Sequence, residues 1–208
     1  MSIKFPLRIL AVDPATTKSG WAVLDLHSLH PLRMTVIARA QIDGDKLLRD
    51  KKDMLKIYQK QFCVLDALYS EYCNIVAEFK PDVVVSESAF GYTHMSAFLA
   101  LTLAIHTLQR AARDTLGIAV VLVPPTISKK ATTGSGAADK DQMRAAYVSA
   151  DWLDKGSGSE EISEHEIDAI AHGTGYVRRD LVGDVVQISA LEKKRMKREK
   201  QRQKENKE

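Results

Sequence analysis

Ile9-Leu10-Ala11-Val12-Asp13-Pro14-Ala15-Thr16-Thr17-Lys18-Ser19-Gly20-Trp21-Ala22-Val23-Leu24 reads as strand, turn and strand. A short apolar run ends in an aspartate. A turn of small and hydroxyl residues follows, and a second apolar run begins at Gly20. An aspartate that closes a strand is a poor core residue, because burying its charge is costly. It is a good place to hold a divalent cation, which takes oxygen ligands. Alone, an aspartate before a turn is more often a cap or an Asx-turn. Its meaning depends on which other carboxylates the fold brings to it.

Leu7–Asp13 is expected to be a central strand, aliphatic on both faces. Residues 20–26 and 34–40 follow as strands, and the short connections predict an antiparallel meander. Residues 47–79 carry a long apolar stripe at helical spacing, stopped by Lys80-Pro81. Residues 82–87, Asp-Val-Val-Val-Ser-Glu, form another buried strand that ends in a carboxylate. A helix is expected over 96–116, closed by Gly117, and a strand over 118–123, closed by Pro124-Pro125. Then come a short helix over 126–133, a Gly134-Ser135-Gly136 turn, a helix over 139–153 and a polar loop over 156–163. Ser163 and Glu166 form a capping-box pattern at the start of a helix over 163–179. Residues 183–190 are expected to form a last strand or a tether.

A long helical crossover joins the first strand to the strand over 82–87. Such a connection makes the two strands parallel and adjacent. Their C-terminal ends then lie side by side, at the edge where α/β sheets bind ligands. Asp13 and Glu87 thereby become a pair. The complement is expected from the last helix, Glu164-His165-Glu166-Ile167-Asp168-Ala169-Ile170-Ala171-His172. His165 and Asp168 are three apart and Glu164 and Asp168 four apart, so they share a face. Ile167, Ile170 and Ala171 form the neighbouring apolar face that docks the helix on the sheet. Asp13, Glu87, His165 and Asp168 are the candidate metal-binding and catalytic set.

The 208 residues suit one domain, and the 45% hydrophobic fraction is that of a globular protein. The net charge of +3 is unevenly placed. A dense run of lysine and arginine from Lys193 to Lys207 exceeds it, so the rest of the chain is mildly acidic. A basic tail on such a body suggests an acidic partner, nucleic acid above all. The domain is expected over 1–190 and a basic, disordered tail over 191–208. Cys63 and Cys73 lack metal-ligand spacing and read as buried thiols of a reducing compartment. No apolar stretch is long enough for a membrane span, and no signal-peptide pattern stands at the N-terminus. An intracellular protein is expected.

The sequence from Val123 to Met143 contains a proline segment, lysines at Lys129 and Lys130, Gly134-Ser135-Gly136, and Ala138-Asp139-Lys140. Together with Asp13-Pro14…Gly20, Glu87-Ser88-Ala89-Phe90 and His165-Glu166-Ile167-Asp168-Ala169, it resembles the RuvC-type Holliday junction resolvases of the ribonuclease H-like superfamily. The resemblance covers most of residues 7–178. It implies a mixed five-stranded α/β sheet, with a three-strand antiparallel meander and two parallel strands, flanked by helices. It implies a metal-dependent endonuclease that resolves four-way DNA junctions by paired symmetric nicks. Asp13, Glu87, His165 and Asp168 would hold two Mg2+ ions, with Mn2+ able to substitute. Lys129 and Lys140, with Lys130 as a one-residue alternative, would face phosphates, and Phe90 would stack on bases. A homodimer acting on branched DNA in the cytoplasm, or the host cytoplasm for a phage-borne member, is implied. Ala15 stands where the family usually has glycine, and the basic tail goes beyond the family pattern.

Three other functions share parts of this pattern. One is a nuclease for flaps, other branched DNA or RNA–DNA hybrids. A second is a non-catalytic DNA-binding module, against which the clustered acids argue, since they repel phosphate. A third is an actin-like or sugar-kinase ATPase, because Asp13-x6-Gly20 also fits their phosphate turn. The chain is too short for the two domains that class needs and lacks its adenosine loop.

Overall fold

Six strands, in the spatial order β5-β4-β1-β2-β3-β6, make up the sheet among the described residues. The structure is a computed structural model that describes residues 3–49, 51–89, 94–156 and 161–184. In chain order, β1 is Leu7–Asp13, β2 Lys18–Leu29, β3 Leu32–Asp43, β4 Val83–Glu87, β5 Val120–Val123 and β6 Leu153–Asp154. The helices are α1 Gly44–Leu47, α2 Lys52–Ile57, α3 Lys60–Phe79, α4 Met95–Leu116, α5 Pro125–Thr133, α6 Lys140–Ser149 and α7 Glu164–Tyr176. A π-helical turn, Val177–Val182, continues α7.

β1, β2 and β3 pair antiparallel, as the short turns predict. β4 lies parallel to β1, with Val12 opposite Ser86. One residue further along are Asp13 and Glu87, the last residues of their strands. Alternation along the strands decides which face each carboxylate takes. Ile9, Ala11 and Val85 pack on the side of α5, α6 and α7, while Leu10, Val12 and Val84 pack on the side of α3 and α4. Asp13 and Glu87 continue the first set, so both carboxyl groups face α7.

The backbone at Asp13 is anchored from the opposite face. The Ser19 hydroxyl donates to the Asp13 carbonyl at 3.0 Å and lies 2.8 Å from the hydroxyl of the fully buried Tyr72. On the near face, α7 is capped as its pattern predicts. Ser163 and Glu166 form the reciprocal capping box, and Glu166 also pairs with Arg39 of β3 at 2.5 Å. Both of those side chains are largely buried, which ties the start of α7 to the sheet.

Two expectations are corrected. The stripe over 47–79 begins at the last residue of α1 and then forms two separate helices, α2 and α3, not one. α2 buries none of its residues and reaches the core only through the half-buried Met54, and Tyr58 and Gln59 are extended, so α3 supplies most of the packing on the sheet. Periodicity specifies a continuous helix only where a surface receives its apolar face. The expected five strands become six. The helix expected to run to residue 153 ends at Ser149, and Leu153–Asp154 pairs parallel to β3. That short strand covers the outer edge of β3, whose backbone groups would otherwise lack partners there. Phe90, most of the segment over 183–190 and the basic tail lie outside the described residues.

Candidate active site

Asp13, Glu87 and His172 each offer a donor atom, and these atoms all lie within 4.8 Å of one another. A cavity of about 140 Å³ holds all three, together with Asp168, Lys129 and Ser128. The two oxygens of Asp13 face different imidazoles. His165 Nδ1 is 2.9 Å from Oδ2, and His172 Nε2 is 3.9 Å from Oδ1. The structure therefore brings the four expected residues to one sheet edge. Asp13 and Glu87 are in mutual ligand range, His165 is bound to Asp13, and Asp168 lines the same cavity.

His172 is the residue that sequence reasoning passed over. Its signal was present, because His165, Asp168 and His172 fall at i, i+3 and i+7 and so form one helical stripe. Its small neighbours Ala171 and Gly173 hid it among the docking residues. Gly173 packs against Leu24 and Ala11, and Gly175 against Val123 and Ser128. α7 therefore lies close on the sheet and carries His172 down to the strand ends.

The remaining expected residues surround this centre. Lys129 donates to the Ala138 carbonyl at 2.8 Å and lines both the central cavity and the neighbouring one. Lys140 forms an ion pair with Glu164 at the second cavity, which Asp168 also lines. Lys130 lines neither cavity. Glu164 and Glu166 both stay outside the metal-ligand cluster, the first held by Lys140 and the second by Arg39.

Negative charge is in excess at the centre. Burial, then the neighbouring Asp13 and Asp168 charges, push the Glu87 carboxyl up to about 7, against the opposing pull of His172. Burial and the Asp13 charge also raise Asp168. Burial would raise Asp13 too, but the His165 and His172 imidazoles outweigh it and hold that carboxyl below its usual range. The hydrogen bond that His165 donates to the Asp13 carboxylate raises the imidazole above its usual range. Converging carboxylates that repel one another this strongly match what a hard divalent cation neutralises. The donor set fits such an ion.

No family model matches the chain. Among curated proteins it is 32% identical over 137 residues to "Crossover junction endodeoxyribonuclease RuvC" of Paenarthrobacter aurescens, covering 66% of this chain and 65% of that protein. It is 28% identical over 165 residues to the protein of the same description from Parvibaculum lavamentivorans, covering 79% and 83% respectively. Among solved structures it resembles Thermus thermophilus RuvC in complex with Holliday junction substrate, with a TM-score of 0.65 at 17% identity, covering 85% of this chain and 96% of that one. This last likeness is one of fold. Among the described residues, no helix is long and apolar enough to cross a membrane.

Proposed function

We propose that this chain, which belongs to the RuvC-type Holliday junction resolvases, is a divalent-metal-dependent endonuclease that resolves four-way DNA junctions by paired symmetric nicks. The convergence of Asp13, Glu87 and the α7 stripe at one sheet edge carries the reading. Asp13, Glu87, Asp168 and His165 would hold two ions, Mg2+ with Mn2+ able to substitute. The bound ions would supply Lewis-acid charge neutralisation and a more acidic water at the scissile phosphate. The protein's own groups do the rest. Asp13, fixed through Ser19 and Tyr72, keeps the cluster at the strand ends. His165, bound to Asp13 through Nδ1, keeps its other nitrogen for an attacking water or an ion. Lys129 and Lys140 flank the cavities and hold phosphates without reading bases. The chain would act in the cytoplasm, as a one-domain nuclease whose basic tail binds further phosphates.

Incubation of the full chain with a synthetic four-way junction and Mg2+ or Mn2+ tests this, with linear duplex, flap and RNA–DNA hybrid alongside. The junction is expected to be cut by symmetric nicks. An intact junction beside a degraded hybrid would overturn the reading in favour of a ribonuclease.

Cation binding has a second readout, in stability. A ligand that binds only the folded state at 100 times its dissociation constant stabilises by about 2.7 kcal/mol. Added Mg2+ or Mn2+ is therefore expected to raise the melting temperature, and a chelator to reverse the rise without unfolding the protein. A melting curve indifferent to both ions argues against the site. For the lysines, Lys129→Ala is expected to weaken junction binding at low salt. The slope of log affinity against log salt should fall by about 0.9 for each phosphate that is no longer neutralised. An unchanged slope removes Lys129 from the interface.

Paired nicking needs two sites related by two-fold symmetry. The exposed apolar side chains Phe62 of α3 and Met95 and Leu99 of α4 offer a dimer face on the side away from α7. Leu99→Glu is expected to raise the dimer dissociation constant at least about 30-fold, the effect of losing an interface anchor worth about 2 kcal/mol. Sedimentation should then show monomer, and junction cleavage should shift from paired to single nicks. A dimer unchanged by this substitution places the interface elsewhere.

A further inference from the structure

We propose that His172 is a direct ligand, through Nε2, of the cation held by Asp13 and Glu87, and that Ser128 is the residue that positions it. The proposal deepens the metal-dependent reading above and rests on it. The imidazole is almost fully buried, its side chain 5% exposed, at the floor of the cavity. A buried imidazole needs partners for both nitrogens. Among the described residues, only Nδ1 has one within hydrogen-bonding distance, the Ser128 hydroxyl at 2.8 Å. Ser128 has one hydrogen to give, and the Pro124 carbonyl lies 3.5 Å from its oxygen. With that hydrogen directed to Pro124, Ser128 accepts from Nδ1–H. The Nε2 lone pair then faces the carboxylates. A hydrogen bond on one ring nitrogen fixing the tautomer of the other is the usual support of a metal-bound histidine.

The spacing agrees. Nε2 is 3.9 Å from Asp13 Oδ1, too far for a hydrogen bond. Ligands of one octahedral cation at about 2.1 Å stand about 3 Å apart when adjacent and about 4.2 Å apart when opposite, so 3.9 Å lies within that span. The donor atoms of His172, Asp13 and Glu87 lie within 4.8 Å of one another, so a small inward movement brings them onto one ion, while His165 is occupied on the other oxygen of Asp13. An imidazole in the ligand set also biases the site. Nitrogen suits Mn2+ better than Mg2+, which favours oxygen alone. The site would therefore bind Mn2+ the more tightly of the two.

The test is pulsed electron paramagnetic resonance of Mn2+ bound to the full chain without DNA, which detects directly coordinated imidazole nitrogen. The deciding sample is His165→Asn. Nitrogen modulation that persists there and vanishes in His165→Asn/His172→Asn supports ligation by His172. Its absence from His165→Asn, or its survival in the double variant, overturns it. Ser128→Ala should weaken the nitrogen coupling and lower Mn2+ affinity by about 10-fold, the scale of lost support behind a ligand. A second measurement does not depend on the His165 variant folding. His172→Asn, its fold checked by melting, should lower Mn2+ affinity in direct titration by 10-fold or more, and unchanged affinity overturns the proposal. Junction cleavage is scored on the same wild-type preparation. Cutting without nitrogen coupling removes His172 and leaves the resolvase reading standing. Coupling without junction cutting does the reverse.

Discussion

Asp13→Asn is expected to lower cleavage of a four-way junction by about 10³-fold or more while leaving junction binding intact. Asparagine keeps the shape and one carbonyl oxygen, so the strand end and the Ser19–Tyr72 anchor behind it are undisturbed. The negative charge is lost at the point where both imidazoles and the second carboxylate converge. Charge stabilisation at a reacting phosphate is worth several kcal/mol, and about 1.4 kcal/mol corresponds to tenfold in rate. Binding should hold or tighten, because a carboxylate facing phosphate repels it. Single-turnover cleavage in Mg2+ and a gel-shift titration in a chelator measure the two halves separately. The melting-temperature rise on adding Mg2+ or Mn2+ should disappear in the same variant. Cleavage within tenfold of the parent would remove Asp13 from the site, and a parallel loss of binding would make its role structural.

The residues that set this up were legible in the sequence to different degrees, for physical reasons. The Asp13–Glu87 pairing followed from a rule of chain connection. A helical crossover leaves two strands parallel, and parallel strands end together. The start of α7 was legible because its cap is local, Ser163 and Glu166 being three residues apart. β6 was not, since two residues carry no periodicity and only the open edge of β3 makes them a strand. α2 is not continuous with α3 although its apolar spacing is helical, because Met54 alone of that face reaches the core and none of its residues is buried. His172 lay between these cases. Its spacing was visible, but its burial comes from Gly173 and Gly175, which bring α7 close to β1, β2 and α5. A sequence shows which residues share a face, while the depth at which that face sits is set by packing.

Depth is also what Gly20 controls, and Gly20→Ala is expected to damage both stability and cleavage. Gly20 pairs with Asp13 across β1 and β2, directly beneath the first turn of α7. A Cβ there would stand 2.1 Å from the His165 carbonyl oxygen and 2.8 Å from the Glu166 amide nitrogen. Both obstacles are backbone, so no rotamer change relieves the clash, and α7 must move or the strand must bend. Overpacking a close approach costs about 3 kcal/mol when it cannot relax. For a chain of this size that is about 6–12 °C in melting temperature. The displacement also reaches the chemistry, since His165 and Asp168 ride on that turn. A shift of about 1 Å in a catalytic group costs about 100-fold in rate. Gly117→Ala is the matched control. Its φ of +71° strains an alanine, but the space around it is open and the position closes α4, far in sequence from the α7 turn. It should cost about 1 kcal/mol and leave cleavage unchanged. Scanning calorimetry and junction cleavage on the two variants separate the effects. If Gly20→Ala melts within about 2–3 °C of the parent, what about 1 kcal/mol costs a chain of this size, and cuts at the parental rate, then the close approach of α7 to β2 does not hold the site together.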